Sequence, residues 1–218
     1  MAKIKKEMFN KVLERVEMDI LVGVYRPRER LIESEIMEKY QITRNATRNI
    51  FAKLMAKDLI KRIPNRGAII TDIETKDAKD LWSFRLHLEN YAADLIEKNI
   101  SNVNLDEVIH ANFEFKKAVK DNNILKMMST NISFHETIIK LSNNNIIAEV
   151  INQLRTRSMR IRHYLWQHSA NIQKSVDDHE ALIEALKNKN IDELKKINES
   201  HILLPFEMYL NQKDSSDF

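Results

Sequence analysis

The sequence contains no cysteine, and glycine and proline are scarce, with two and three residues among 218. The absence of cysteine excludes disulfides, thiolate metal sites and cysteine nucleophiles, and it fits a reducing compartment. The sequence also lacks an apolar run of signal-peptide type near Met1, and every stretch long enough to cross a bilayer carries charge. We therefore expect a cytoplasmic protein.

The few glycines and prolines are unevenly distributed along the chain. Four of the five lie in the first 67 residues, at Gly23, Pro27, Pro64 and Gly67, and Pro205 is the only one that follows. Segments without these residues favour long helices joined by short polar turns, whereas clustered glycine and proline indicate tight turns. The sequence therefore predicts a compact, turn-rich front part and a helical remainder.

The front part of the chain is also more basic than the remainder. Residues 1–73 hold 16 Lys and Arg against 10 Asp and Glu, whereas the remainder holds 19 against 22. A basic segment is typical of a polyanion binder, although a solvated surface also produces an imbalance of this size. Hydrophobic residues make up 43% of the chain, so a buried core is expected.

The front part predicts three helices and a hairpin. Gly23 is placed to end the first helix, and Thr43 is a good N-cap for the third. In chain order, the predicted elements are a helix over 5–22, an extended piece at 30–32, helices over 33–40 and 43–57, and strands at 59–63 and 68–73 joined by the loop 64–67. Three helices followed by a hairpin are the order of a winged helix-turn-helix.

The third predicted helix carries Arg44 and Arg48 on one face. At 100° per residue, each lies about 160° from Ala46, which forms the predicted buried stripe with Ile50 and Leu54. An outward positive face suits DNA phosphates and major-groove base edges. The polar residues that flank these arginines or lie at the hairpin tip are Thr43, Asn45 and Arg66. The same spacing also fits the solvated face of an ordinary three-helix unit.

Behind a boundary at residues 74 and 75, the sequence predicts an antiparallel all-α bundle. Thr75 is a plausible N-cap for its first helix. The expected helices span 76–98, 104–120, 122–142, 144–168, 173–188 and 190–210. Residues 211–218 are polar and are expected to form a frayed tail. The predicted domains are thus a DNA-binding domain over 1–74 and a helical domain over 75–210.

Three of the seven histidines lie on apolar, core-facing stripes of different helices in this bundle. His135 shares a helix face with Asn131, whereas His179 and His201 recur with aliphatic residues at helical spacing. Because a buried imidazole needs a polar partner, three imidazoles that converge inside a bundle can hold one metal ion. Each histidine taken singly is equally explained as a hydrogen-bonded core residue.

Turn and helix residues of the front part also follow one another at characteristic spacings. They are Gly23, Tyr25 and Pro27, then Leu31, Glu33 and Ile36, then Thr43, Arg44 and Arg48, then Leu54, Leu59 and Ile60, and finally Pro64, Arg66 and Gly67. In this order they resemble the GntR family of bacterial transcriptional regulators. Departures occur at Arg28, usually glycine, at Asn45, usually a small residue, and at Thr47, usually valine. The resemblance implies DNA contacts from Thr43, Arg44, Asn45, Arg48, Arg66 and Gly67.

A second set of residues spans the bundle. It comprises Arg85 and Glu89, Asn131, Phe134 and His135, Ser142 and Asn144, Asp178, His179 and Ala185, and His201. This set resembles the FCD ligand-binding domain of the FadR subfamily, which includes a shorter VanR-like type. The resemblance implies a divalent metal held by Asn131, His135, His179 and His201, with Asn131 in place of the usual aspartate. Zinc or nickel is expected, because an amide lacks charge and the other donors are nitrogens.

The resemblance also implies an effector beside the metal, often a carboxylate in this family. Arg85 is the matching basic residue, since a guanidinium binds a carboxylate bidentately, although it can equally form a helix ion pair with Glu89. A further run of arginines is expected to make a solvated flank from which one side chain can enter the pocket. This run consists of Arg155, Arg157, Arg160 and Arg162.

The sequence thus predicts a ligand-responsive transcriptional regulator, more often a repressor in this family, that binds a pseudo-palindromic operator as a homodimer. One alternative is a metal sensor in which the ion itself is the effector. The other two alternatives are a metallohydrolase and an architectural DNA-binding protein. His135 and Glu136 begin like the metalloprotease motif H-E-x-x-H, but Ile139 occupies its last position, so an enzyme is not expected.

Overall fold

The computed structural model describes residues 2–63, 67–100, 103–162 and 169–216, with 2–6, 156–157, 159–160, 162 and 212–216 described in backbone only. The helices are α1 Ala2–Leu21, α2 Glu33–Tyr40, α3 Arg44–Ala56, α4 Thr75–Asn99, α5 Asp106–Lys120, α6 Ile124–Lys140, α7 Asn145–Arg162, α8 Ser169–Lys187 and α9 Ile191–Ser216. The strands are β1 Arg30–Leu31, β2 Ile60–Ile63 and β3 Gly67–Ile70. The chain divides into two compact units, Met1–Ile73 and Glu74–Phe218.

The first unit is a winged helix-turn-helix, as predicted. The sheet has the order β1-β3-β2, and β3 pairs antiparallel with both neighbours, so that Gly67 lies opposite Ile63 at the wing end. Gln41 ends α2 in the left-handed region with φ 52°, which turns the chain sharply toward α3. The core of the unit is formed by buried aliphatic side chains of the helices and strands, among them Val16, Leu31, Ile36, Ile50, Leu54 and Ile70.

A polar cluster around Asp19 joins α1 to α2 inside this unit. The Tyr40 hydroxyl donates to Asp19 Oδ2 over 2.8 Å, and Lys39 Nζ lies 3.1 Å from the same oxygen. Burial and the hydrogen bonds to Tyr25 and Asp19 raise the pKa of Tyr40, so its hydroxyl stays protonated as a donor. The cluster ties α2 to the long first helix and gives α3 a rigid neighbour.

The second unit is the predicted all-helical bundle. One core combines buried residues of α4, α5, α6, α8 and α9, with Phe134 at 0% exposure, and another joins α4, α6 and α7 around Ile151. Asparagine caps begin two of the helices. Asn123 accepts from the Lys126 amide at the start of α6, and Asn144 accepts from the Ile147 amide at the start of α7.

Several helix ends differ from the sequence-based prediction; α8, for example, begins at Ser169 rather than at residue 173. Thr75 is the first residue of α4 rather than its N-cap; Glu74 occupies the cap position without a side-chain hydrogen bond. At the other end, α9 continues to Ser216, beyond the predicted end at residue 210. The polar segment after 210 contains neither glycine nor proline, so nothing in its sequence stops a helix. Among the described residues, no helix is long and apolar enough to cross a membrane.

Candidate functional site

The helix α3 presents a polar edge at its N-terminal end. Thr43 caps the helix by accepting a hydrogen bond from the Ala46 amide at 3.3 Å. The side chains of Arg44, Asn45 and Arg48 are exposed. An exposed, positively charged edge of this kind suits DNA phosphates and base edges. The structure thus brings together four of the six predicted DNA-contacting residues on one surface.

The buried side of α3 differs from the prediction by one residue. Thr47, at 0% exposure, is buried with Ile50 and Leu54, whereas Ala46 is only partly buried. The Thr47 hydroxyl donates to the Thr43 carbonyl at 3.2 Å, so its polar group is satisfied inside the helix. Threonine and valine have the same branched shape. Because its hydroxyl is hydrogen-bonded, Thr47 can occupy a buried position that is usually valine in the GntR family, which the sequence resembles.

Arg48 has an ionic partner among the described residues of its unit. Its Nε lies 3.7 Å from Glu33 Oε2 in the first turn of α2, and 64% of the Arg48 side chain remains exposed. A long, exposed ion pair of this kind contributes little to stability. Arg48 can therefore exchange Glu33 for a phosphate or a base at small energetic cost.

Gly67 gives the wing a backbone conformation that favours glycine. Its φ is +88°, and a Cβ added there would lie 3.1 Å from the Leu31 carbonyl oxygen. A residue with a side chain would be strained by both the dihedral and the contact. The neighbouring loop residues Pro64, Asn65 and Arg66 lie outside the described residues, so the DNA contact predicted for Arg66 stays a prediction.

Three buried histidines from three helices meet in the bundle. The three residues are His135 on α6, His179 on α8 and His201 on α9. One ring nitrogen from each lies within 4.8 Å of the other two. All three rings are nearly or fully buried. The His179 ring stacks on Phe134 with centroids 3.9 Å apart and meets Phe115 at 4.6 Å. The aromatic packing thus fixes one ring while the helices bring the other two to it.

His201 is oriented by a carboxylate on the neighbouring helix. Its Nδ1 lies 3.1 Å from Asp178 Oδ2, and Lys174 pairs with the same carboxylate. Burial raises the pKa of Asp178, but hydrogen bonds from His201 and Lys174 outweigh it and lower the pKa overall. An ionised Asp178 accepts a hydrogen bond from Nδ1–H, so the neutral His201 ring has its lone pair on Nε2, which lies 3.1 Å from His135 Nε2.

Asn131 lies one turn before His135 on the same face of α6. Its Oδ1 is buried, and no donor among the described residues reaches it. A buried amide oxygen without a donor, one helical turn from His135, fits a divalent cation, which needs electron-pair donors and no protons. The residues present therefore fit the metal that the family resemblance implies, with Asn131, His135, His179 and His201 as the donor set.

A buried ionic network lies on the α4 side of the bundle. Arg85 Nε donates to Glu89 Oε1 at 2.7 Å, and Arg155 Nη2 lies 3.5 Å from the same oxygen. Asn198 donates to Glu89 Oε2 at 3.0 Å. Burial raises the pKa of Glu89, but the attraction of both arginines outweighs it and holds the pKa at about 2. Arg85 therefore does form the helix ion pair considered above, but as a buried pair and with a second arginine.

Arg155 is the functional candidate that sequence analysis did not single out. It lines a cavity together with His135, Glu89 and Asn198. Its Nε and Nη1 are buried without a hydrogen-bond partner in the described part of the chain. Unsatisfied guanidinium donors facing a cavity suit a carboxylate. Arg85 lines a different cavity, which contains none of the three histidines, so Arg155 rather than Arg85 shares a cavity with a histidine of the cluster.

Comparisons with known proteins agree with this architecture. Residues 9–70 match the family of bacterial regulatory proteins called the gntR family, and residues 80–204 match the FCD domain. An uncharacterised helix-turn-helix regulator of Bacillus subtilis, YdhC, is 24% identical over 86% of this chain and 82% of its own length. The gluconate operon transcriptional repressor of Bacillus licheniformis is 23% identical over 83% of this chain and 76% of its own length.

A solved structure shows the same fold. The regulator McbR (YncC) of E. coli superimposes with a TM-score of 0.73 at 19% identity, covering 94% of this chain and 98% of that protein. Proteins of this family are transcriptional regulators that bind DNA, and they are not enzymes. With the front unit matching the gntR model and most of the bundle matching the FCD model, the chain belongs to the GntR family of bacterial transcriptional regulators that carry an FCD domain.

Proposed function

We propose that the protein is a repressor that binds a pseudo-palindromic operator as a homodimer and responds to a small carboxylate bound beside a divalent metal ion. The observation that carries the proposal is the shared cavity of His135 and Arg155, which joins the histidine cluster to unsatisfied guanidinium donors. The gluconate operon repressor, a relative by sequence, is named for a carboxylated sugar. A DNA-binding repressor acts in the bacterial cytoplasm, where the chromosome lies.

The metal would be held by Asn131, His135, His179 and His201. A donor set with three imidazoles and one neutral amide supports zinc or nickel rather than magnesium or calcium. When bound, a divalent cation supplies an open coordination position for a carboxylate oxygen. Arg155 would orient the carboxylate by charge-assisted hydrogen bonds, while Asp178 holds the His201 ring in the required tautomer.

The proposed homodimer matches the two half-sites of the proposed pseudo-palindromic operator. A protein with one recognition helix gains affinity and register when two copies occupy successive major grooves. The effector alters repression only if it binds the DNA-competent and DNA-incompetent arrangements with unequal affinity. Sedimentation velocity of the full chain, alone and on a selected operator, tests the dimer; a single copy bound to one half-site at saturation contradicts it.

Operator affinity measured with and without metal and acid tests the sensor. An operator is first selected in vitro with metal-free protein, and its affinity is then measured with zinc alone, gluconate alone and both. We expect the combination to weaken DNA binding and either component alone to leave it unchanged. If zinc alone abolishes DNA binding, the protein is a metal sensor instead. If neither zinc nor nickel binds, the metal-assisted proposal is wrong.

A further inference from the structure

Lys174 lies at the surface end of a chain of polar contacts that leads into the histidine cluster, which consists of His135, His179 and His201. Its Nζ lies 2.8 Å from Asp178 Oδ1 and 3.1 Å from Asp178 Oδ2. The same Oδ2 lies 3.1 Å from His201 Nδ1. Exposure falls along this chain from 41% for the Lys174 side chain to 12% for Asp178 and 1% for His201. A solvent-facing ammonium is therefore two contacts away from a buried imidazole.

The ammonium and the imidazole compete for one carboxylate. Asp178 Oδ2 faces both Lys174 Nζ and His201 Nδ1, so negative charge that Lys174 attracts is less available to the imidazole. A carboxylate behind a histidine ligand raises the basicity of the other ring nitrogen, which strengthens a metal bond there. The positive charge of Lys174 also repels a cation at the cluster, and partly buried surroundings screen this repulsion incompletely. Both effects of Lys174 oppose the binding of a cation.

Lys174 is not needed to keep Asp178 beside His201. An ion pair four residues apart on a helix, with a partly exposed lysine, contributes little to stability. Asp178 is itself largely buried, and it keeps its contact with His201 Nδ1 when the lysine is absent from the other side. Loss of the ammonium should therefore leave the carboxylate in position and free it from the competing charge.

We propose that Lys174 is a positioning residue that acts through Asp178 to weaken metal binding, so that a charge at the protein surface sets the metal affinity of the buried histidine cluster. This inference rests on the divalent metal of the proposed function. The two members of one ion pair then have opposite effects. Loss of the Asp178 charge weakens zinc binding, whereas loss of the Lys174 charge strengthens it. If the ion pair only maintained the structure, both losses would weaken zinc binding.

The absence of cysteine allows the charge at this position to be changed by itself. In the full-length variant Lys174→Cys, the introduced thiol is the only one in the chain. Alkylation with 2-bromoethylamine adds an ammonium at nearly the position of the original Nζ, whereas alkylation with iodoacetamide gives a neutral side chain of similar length. Competition with a chromophoric chelator then measures the zinc affinity of both products and of the unmodified chain.

We expect the neutral product to bind zinc about three- to tenfold more tightly than the unmodified chain, because a nearby positive charge is lost. The ammonium product should bind zinc as the unmodified chain does. The difference between the products should shrink when salt rises from about 20 mM to about 500 mM, since the charge at this partly exposed position is screened. A merely structural defect would be neither reversed by the ammonium nor reduced by salt.

The matched control is Lys187→Cys on the same helix. Lys187 also pairs with a carboxylate, that of Glu184 at 3.6 Å, but the Glu184 side chain is 61% exposed. The two alkylated products of Lys187→Cys should therefore bind zinc alike. Lys174→Met, which needs no alkylation, should bind zinc as tightly as the neutral product and provides an independent second variant.

The outcomes separate this inference from the proposed function. If the unmodified chain binds zinc but both Lys174→Cys products bind it equally, or the neutral product binds it more weakly, the role of Lys174 is overturned and the metal site stands. If the unmodified chain binds no zinc, the zinc site and this inference are both wrong.

Discussion

Asp178 and His201 are joined across two helices by a 3.1 Å contact between Asp178 Oδ2 and His201 Nδ1. The contact directs the other ring nitrogen of His201 toward His135, where the two Nε2 atoms lie 3.1 Å apart. With Nδ1–H directed at Asp178, His201 Nε2 is an electron-pair donor, which accepts either from an Nε2–H of His135 or from a cation. The carboxylate thus orients His201 Nε2 toward His135 as an acceptor.

Replacing Asp178 should therefore weaken metal binding without removing a ligand. Asp178→Asn supplies a neutral, weaker acceptor for His201 Nδ1, and we expect zinc affinity to fall about 10- to 100-fold. Competition with a chromophoric chelator measures this change. Asp177→Asn, an exposed neighbour on the same helix, is the control and should bind zinc normally. Equal zinc affinity in both variants would show that Asp178 does not orient the site.

Arg155 should determine the response to the effector but not DNA binding itself. Arg155→Gln removes the unsatisfied donors of the cavity that Arg155 shares with His135, so the acid should no longer weaken operator binding even when zinc is bound. Operator affinity with increasing gluconate and fixed zinc is the measurement. Lys140→Gln, an exposed charge at the end of α6, should respond as the unmodified chain does. A normal response in Arg155→Gln would refute the role given to this guanidinium.

The recognition helix can be tested at Arg44 and Arg48. Each substitution by alanine should cost about 1–3 kcal/mol of operator affinity if the side chain reads a base, measured by fluorescence anisotropy on a selected operator. A phosphate contact would instead weaken all DNA sequences alike and reduce the salt dependence. Folding stability should be almost unchanged, because both side chains are exposed. Lys53→Ala, near the other end of α3, is the control, and operator binding unaffected by either arginine variant would show that α3 is misassigned.

Gly67→Ala should destabilise the wing. The positive φ alone costs about 1–2 kcal/mol for a residue with a side chain, and the 3.1 Å approach to the Leu31 carbonyl adds to it. Urea denaturation measures the loss, and operator affinity should fall as well. Gly23→Ala, with φ 80° outside the wing, should lower stability but spare the DNA affinity of the folded protein. An unchanged denaturation midpoint for Gly67→Ala would contradict the observed wing geometry.

The network around Glu89 predicts a specific dependence of stability on pH. The pKa of Glu89 is about 2 in the folded protein, below its ordinary value of 4.5, so the folded state favours the ionised form. Its contribution, about 3 kcal/mol, is therefore fully present above pH 4.5 and is lost as the pH falls toward 2. Glu89→Gln should be less stable at neutral pH and should lack this part of the acid slope in urea denaturation.

The matched control for this prediction is Glu97→Gln, an exposed carboxyl on the same helix. It should keep both the neutral stability and the acid slope of the unmodified chain. If Glu89→Gln shows the same acid slope as Glu97→Gln, the buried ion pairs do not govern acid sensitivity.

Local signals predicted the fold well. The helix α2 has the ends expected from the sequence, because Gln41 and the neighbouring polar residues interrupt an otherwise clear periodicity. Burial of the three histidines was predicted because each lies on the apolar stripe of its own helix, whereas their grouping as one set of ligands was implied by the family resemblance. Thr47 was not expected in the core, since its hydroxyl is satisfied by a backbone carbonyl that the residue pattern does not reveal.

Contacts between residues far apart in the sequence could not be predicted. Asp178 meets His201 across 23 residues, and Arg155 meets Glu89 across 66. Neither contact can be deduced from helical periodicity. Periodicity tells which face of its helix a residue occupies, but not which other helix that face meets. The run of arginines therefore left open which member enters the bundle, and packing of α7 on α4 selects Arg155.

Pro205 lies within α9, four residues after His201 and one before Phe206. Proline has no N–H, so residue 205 cannot donate to the His201 carbonyl, and its ring crowds that carbonyl. The helix axis bends more easily at such a point than elsewhere along its length. The helix α9 therefore has weaker backbone support between His201 and Phe206 than along the rest of its described length. A shift at His201 is expected to bend α9 at this point rather than slide the helix as a whole.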